Sequence, residues 1–181
     1  MVSTNAAIHD VHALRSYEEG ENMKTIRLDI GCGSPDQKKE RYTGIDVNPD
    51  YKPDILHNCD EGIPFKSDSV YAIWMDNSLE HFVNPSFVLK ECHRVLKKEG
   101  VLEIKLPNLQ YFPVLFAMFF GDVQFLWNKW MNSKYKTGRS QHYTLWTPEV
   151  LRLQLEHYGF GVVYTKGWLY SKEFYFAAVK Q

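Results

Sequence analysis

The chain has 181 residues, 44% of them hydrophobic and 24% charged, with a formal net charge of -1. This is ordinary globular composition, sufficient for one domain with a real core, and no charge excess points to nucleic acid or an acidic membrane as partner. Cys32, Cys59 and Cys92 are far apart in sequence, which fits a reducing compartment and offers neither a disulfide framework nor a CxxC metal pair. No metal site is expected.

Residues 1–22 carry Asp10, Glu18, Glu19 and Glu21 and lack the basic-then-apolar layout of a signal peptide. They read as a partly disordered extension, or as a short helix packed over a domain that begins at Met23; a cytoplasmic location is expected. Residues 25–30 form the first expected strand, stopped by Gly31-Cys32-Gly33. Residues 43–47 form the second, closed by Asn48-Pro49-Asp50, and residues 54–57 the third. The fourth, 70–75, is apolar almost throughout, as suits a strand covered on both faces. Only about ten residues join the first two strands, near the minimum for a parallel connection, so that crossover should hold a helical turn or two, or be irregular.

The period changes over residues 85–98. Val88, Cys92, Val95 and Leu96 share one helical face, Lys90, Glu91, Arg94 and Lys97 the other, and Gly100 is a stop signal. Residues 101–106 are the fifth expected strand. The following stretch holds Phe112, Phe116, Phe119, Phe120, Phe125 and Trp127, but Pro113, Gly121, Asp122 and Lys129 interrupt it, and a membrane span needs about 18 uninterrupted apolar residues. It reads as a helical insertion over about 109–143, either packing its own small core or serving as a lid. With Lys129, Lys134, Lys136 and Arg139 it could also be a membrane-surface or dimer patch. Thr147 as N-cap and Pro148 at N1 open a further helix, which Val150, Leu153 and His157, with Leu151 and Leu155 beside them, continue to Gly159. Two more strands are expected near 162–165 and 174–179. Strands alternating with helices predict an α/β fold: a doubly wound, mostly parallel seven-stranded sheet with right-handed crossovers.

The chemistry is concentrated in Leu28-Asp29-Ile30-Gly31-Cys32-Gly33-Ser34, followed by Gly44-Ile45-Asp46-Val47. A glycine turn after the first strand lets a ligand approach the backbone with no Cβ in the way. An acid at the end of the second strand can accept both hydroxyls of a ribose. The pattern predicts a nucleoside-containing cofactor across the first two strands. The dinucleotide fingerprint is not met: its third glycine position is Asp36, and Asp46 comes earlier than roughly 20 residues on. Asp29 and Asp36 beside the turn suit a cationic ligand better than a diphosphate.

At these residues the chain resembles the class I S-adenosylmethionine-dependent methyltransferases, and within them the type 11 group, notably small bacterial members with a shortened first crossover. Ile63-Pro64-Phe65 with Ser67-Asp68-Ser69, then Ser78-Leu79-Glu80-His81, then the run from Glu91 to Gly100, resemble further motifs of that group in the same order. The likeness covers residues 26–106 well and 144–160 more weakly. It implies a Rossmann-like fold, S-adenosylmethionine as cofactor, and methyl transfer as the activity. It also implies roles: Gly31, Cys32 and Gly33 along the methionine part of the cofactor with Asp29 near its amino group; Asp46 at the ribose and Val47 beside the adenine; Cys59 and Asp60 near the adenine edge; Asp76 and Asn77 on the sulfonium side.

On the acceptor side, Asp76 and His142 are the candidate catalytic residues. His142 stands in Ser140-Gln141-His142-Tyr143, and an imidazole of ordinary pKa near 6.5 there could serve as base. His81 reads as a residue that pins its loop or, alternatively, as a base; His57 and His93 read as surface or packing residues, and Cys32 as a small packing residue. The acceptor expected is a small molecule, a glycan precursor or a lipid-linked compound, methylated at oxygen. No Asp/Asn-Pro-Pro-aromatic run follows the fourth strand, so nucleic acid is not expected. The rival readings are a non-catalytic cofactor-binding or assembly protein and, further off, a nicotinamide oxidoreductase.

Overall fold

Seven strands form one sheet in the order β3-β2-β1-β4-β5-β7-β6. They are β1 (Arg27–Ile30), β2 (Thr43–Asp46), β3 (Ile55–Leu56), β4 (Val70–Asp76), β5 (Leu96–Pro107), β6 (Phe160–Lys166) and β7 (Glu173–Lys180). The first five run parallel; β7 lies antiparallel between β5 and β6. Among the described residues, three α-helices accompany them: α1 (Pro85–Val95), α2 (Phe112–Phe119) and α3 (Pro148–His157). This computed structural model describes residues 25–121, 142–167 and 171–181. The expected extension over 1–22 and most of the aromatic insertion, including Phe125, Trp127 and the basic run, lie outside the described residues.

Local chemistry explains the helix starts. Asn84 caps α1 by accepting from Phe87 N at 3.1 Å, and Thr147 caps α3 by accepting from Val150 N at 3.2 Å, with Pro85 and Pro148 in the first turns. The end of α1 differs from the sequence expectation. The helix stops at Val95 rather than near 98, because buried Leu96 turns extended (φ -64, ψ 140) and pairs with Val70. The next residues bulge out, with Glu99 at φ 64, before Val101 rejoins opposite Ala72. In α3, Pro148, Leu151 and Leu155 are inside, whereas Val150, Leu153 and His157 are exposed. Leu151, Leu155 and partly buried Tyr158 follow the i, i+4, i+7 period that packs against the sheet.

One face of the sheet carries a continuous apolar core. Leu28 and Ile30 of β1, Ile73 and Met75 of β4, Leu102, Ile104 and Leu106 of β5, and Phe174 and Phe176 of β7 pack there with Val88, Cys92 and Val95 of α1 and Leu151 and Leu155 of α3. The alternate positions of the same strands form a different surface: Asp29, Trp74, Glu103, Lys105 and Tyr175. Strand side chains alternate faces, so this contrast follows from register alone. The first crossover lies on this second face as turns, without a helix. Lys39 clasps it down: its Nζ bonds Glu103 Oε2 at 2.6 Å and sits 3.7 Å from the centre of the Trp74 ring, while its backbone N donates to Asp29 Oδ2 at 2.7 Å. Tyr175 OH completes the clasp on Glu103 Oε1 at 2.6 Å.

No helix among the described residues is long and apolar enough to cross a membrane. The carboxyl ends of β1, β2 and β4 share one edge of the sheet, the edge where parallel α/β sheets bind ligands.

Candidate functional site

The site begins at the turn after β1. Gly31 and Gly33 have φ 71 and 62, and Gly31 N and Cys32 N donate to Ile45 O at 2.8 and 3.2 Å. A Cβ on Gly31 would lie 2.4 Å from Ser78 Cβ. Ser78 is itself fixed, donating from Oγ to Ile30 O at 2.7 Å. The turn is thus tied to β2 on one side and to the loop after β4 on the other, with no room for a Cβ at Gly31. Asp46 closes the arrangement. Its Oδ2 accepts from Gly33 N at 3.0 Å and its Oδ1 from Asn48 N at 2.8 Å, so the carboxylate is held across the top of β1 and β2 with lone pairs left for further donors.

These groups line a cleft of about 730 Å³. Every residue singled out from the sequence for the cofactor, from Asp29 to Asn77, lines this cleft, and so does His142. Its charge is lopsided: Asp29, Asp46, Asp60, Asp76 and Glu173 face Lys105 and Lys172. Such a surface attracts a cation and repels a diphosphate.

Burial sets the chemistry of the individual groups. Asp29 is pushed up to about 6, because desolvation outweighs the hydrogen bond from Lys39 N. The Cys32 and Cys59 thiols are pushed up to about 12 by burial and neighbouring carboxylates, so both stay protonated and neither is a nucleophile. Asp60 accepts from Val83 N at 3.1 Å and Asn84 N at 2.9 Å, which ties the loop after β3 to the start of α1. Asp76 is engaged by Lys105 Nζ at 3.2 Å and by Asn77 Nδ2 at 2.7 Å. Glu173 joins them, 3.2 Å from Lys105 Nζ and 3.2 Å from Asn77 Nδ2. Sequence reading missed Lys105, Lys172 and Glu173. The antiparallel course of β7 was the absent clue, because it brings the start of that strand to the carboxyl end of β5.

A second cluster lines the same cleft. Tyr143 N and Thr144 N donate to Glu80 O at 2.8 and 3.3 Å, pinning the chain around His142 onto the turn Leu79–His81. This places Glu80, His81 and His142 together, with ligand-type atoms all within 4.8 Å of one another. Glu80 is 1% exposed, and neither side-chain oxygen nor His142 Nδ1 has a hydrogen-bond partner, apart from a contact between the Glu80 carboxyl and its own backbone N–H. His142 Nε2 lies 3.9 Å from Glu80 Oε1, yet the pair is not an ion pair. Burial pushes the Glu80 carboxyl up to about 8, and burial together with His81 pushes His142 down to about 4, so both are neutral near pH 7. An ordinary imidazole near 6.5 was expected at His142; desolvation overrides that value. Among the described residues, none from Phe112 to Gly121 lines the cleft.

Residues 28–104 match the family model described as a methyltransferase domain. A ubiquinone biosynthesis O-methyltransferase of Pseudomonas paraeruginosa is 28% identical over 138 residues, covering 61% of this chain and 58% of that protein. The chain therefore spans little more than half the length of that relative. An S-adenosylmethionine-dependent methyltransferase of Thermotoga maritima has a similar structure, with a TM-score of 0.65 at 16% identity, covering 97% of this chain and 89% of that one. Another from Archaeoglobus fulgidus superposes with a TM-score of 0.62 at 16% identity, covering 98% and 95%. These likenesses speak for the fold, and the sequence match for the domain. Residues 28–104 thus resemble a methyltransferase domain in sequence, and the chain shares its fold with S-adenosylmethionine-dependent methyltransferases.

Proposed function

We propose that the chain transfers the methyl group of S-adenosylmethionine to an oxygen of a small acceptor, with a glycan precursor or a lipid-linked compound as the classes to test. One observation carries this reading: the glycine turn after β1 binds the carboxylate of Asp46 through Gly33 N, and both line an acidic cleft at the carboxyl ends of β1 and β2. The residues fit the cofactor. Gly31 and Gly33 line the part of the cleft that would take its methionine chain, and Asp29 would meet its amino group. Asp46 accepts from the ribose hydroxyls, and Val47, half-exposed at the end of β2, packs beside the adenine. Cys59 and Asp60 border the adenine edge through their backbone, since the Asp60 carboxylate serves the start of α1. Asp76 and Asn77 face the sulfonium, which a carboxylate stabilises through space.

The bound cofactor supplies an electrophilic methyl group on a sulfonium. The chain then has to align an acceptor and exclude water, worth up to about 7–11 kcal/mol where the alignment is good. His142 lies on the acceptor side. At about 4 it cannot keep a proton at neutral pH, so it accepts a hydrogen bond from the acceptor hydroxyl and orients it. Asp76, held by Lys105 and Asn77, positions rather than abstracts. The name of the Pseudomonas relative, an O-methyltransferase, supports oxygen as the atom methylated. Exposed Phe112, Phe116 and Phe119 on α2, which follows the carboxyl end of β5, support a lipid-tailed acceptor or peripheral membrane contact, and equally a dimer contact. The insertion over about 109–143 would then act as a lid. A cytoplasmic location is consistent with this reading.

The test is a transfer assay with labelled cofactor against phenolic, glycan-precursor and lipid-linked acceptors. Transfer to a hydroxyl, lost in Asp46→Ala, supports the reading. Tight cofactor binding with no transfer to any acceptor supports the non-catalytic alternative.

A further inference from the structure

We infer that Glu80, His81 and His142 form a binding site for a divalent transition-metal ion at the acceptor end of the cleft. The argument is geometric. Two imidazoles and a carboxylate offer one ligand atom each, all within 4.8 Å of one another, and Glu80 Oε1 to His142 Nε2 is already 3.9 Å. Bonds of about 2.0–2.1 Å at tetrahedral angles place ligand atoms roughly 3.4 Å apart. Side-chain rotation of about an ångström therefore closes the set without moving the backbone.

The second observation is the state of the ligand atoms. Glu80 is 1% exposed, and its carboxyl oxygens lack partners beyond its own backbone N–H, although a buried polar group is almost always satisfied. His142 Nδ1 is orphaned in the same way. An unsatisfied buried carboxyl beside imidazoles is costly as it stands and becomes favourable once a cation sits between them. The cluster is also built rather than incidental. The backbone of residues 143 and 144 is bonded to Glu80 O, joining two segments far apart in the sequence. Each of the three residues lines the cleft, so coordination positions not filled by protein open toward it.

Two nitrogens and one carboxylate oxygen select zinc, or a similar first-row ion such as iron(II), manganese or cobalt, over magnesium or calcium, which take oxygen sets. Three protein ligands with an open position is the arrangement of a reactive rather than a closed structural site. The ion would hold an acceptor oxygen in place. That role rests on the methyl-transfer reading, whereas binding of the ion does not.

The experiment uses the untagged full chain, stripped with chelator, dialysed against zinc or cobalt(II), and desalted before metal analysis. We expect about one equivalent retained per chain, with a cobalt d–d spectrum of low coordination number rather than that of the hexa-aqua ion. Glu80→Gln, which keeps the side-chain volume, and His142→Ala should each weaken retention roughly tenfold or more, while His157→Ala, on the exposed end of α3, should not. Calorimetry with S-adenosylmethionine on the same samples reports on the cofactor site independently. Metal retained without cofactor binding upholds this site and sinks the methyl-transfer reading; cofactor bound without metal overturns this site and leaves the cofactor site of that reading standing. If a variant does not fold, the wild-type cobalt spectrum decides. No retained ion, a hexa-aqua spectrum, or equal retention by wild type and folded Glu80→Gln overturns the inference.

Discussion

Replacing Gly31 with alanine tests the glycine turn most severely. At φ 71 an L-residue costs about 1–2 kcal/mol in backbone strain. The new Cβ would stand 2.4 Å from Ser78 Cβ, where ordinary contact begins at 3.4 Å, so Ser78 must retreat by about an ångström. Overpacking of that kind costs about 1–3 kcal/mol, and losing the 2.7 Å bond from Ser78 Oγ to Ile30 O adds about 0.5–1.5. The whole comes to about 3–6 kcal/mol, a large part of the roughly 5–15 kcal/mol that holds a domain together. For a chain of this length, that lowers Tm by roughly 6–24 °C. Thermal denaturation followed by circular dichroism measures it. Ser78→Gly in the alanine background removes the colliding atom and should return about 1–3 kcal/mol, leaving the φ penalty. A Gly31→Ala protein melting within about 3 °C of wild type would show that the turn is not as tight as described. So would a double variant no more stable than the single one.

Further outcomes follow from the titrating and clasping groups. Asp29, raised by burial from 3.8 to about 6, disfavours the folded state increasingly as pH rises from about 4 through 6. Asp29→Asn should therefore remove that slope from a urea-stability profile measured between pH 4 and 8. Because the charged form meets the cofactor's amino group, wild-type cofactor affinity should fall as pH drops through about 6, and in Asp29→Asn it should be weak and flat. Glu103→Gln weakens the clasp of Lys39 and Tyr175 over Trp74 and should cost about 1–3 kcal/mol, read as a shifted urea midpoint with unchanged slope. His142→Ala should leave cofactor affinity nearly intact and lower turnover by about 10²-fold or more once an acceptor is known; since His142 titrates near 4, the wild-type rate should show no break near 6.5.

The order of elements was legible because each follows a local rule. Alternating or continuous apolar runs marked the strands, Asn84-Pro85 and Thr147-Pro148 marked helix starts, and the glycine turn with Asp46 marked the ligand edge. What was missed required neighbours. The buried face of α3 depends on which turn meets the sheet, which periodicity leaves ambiguous among Val150, Leu151, Leu153 and Leu155. Leu96 reads as helix by its period, yet the sheet claims it. Glu173 reaches the cleft only because β7 runs antiparallel to β5, and Lys105 only because its strand sets it beside Asp76. Glu80, His81 and His142 are separated by some sixty positions, and two backbone bonds to Glu80 O bring them together. The pKa of His142 could not be read at all, because desolvation is a property of the folded environment.

The central claim is that Gly31, Gly33 and Asp46 hold S-adenosylmethionine at the ends of β1 and β2. Isothermal titration calorimetry with the cofactor and with its demethylated product tests it directly. Both should bind in the micromolar range, and Asp46→Ala, confirmed as folded, should weaken both by about 1.5–3 kcal/mol, roughly ten- to a hundredfold. An unchanged affinity in that variant, or no binding heat with the wild-type chain at several temperatures, would contradict it.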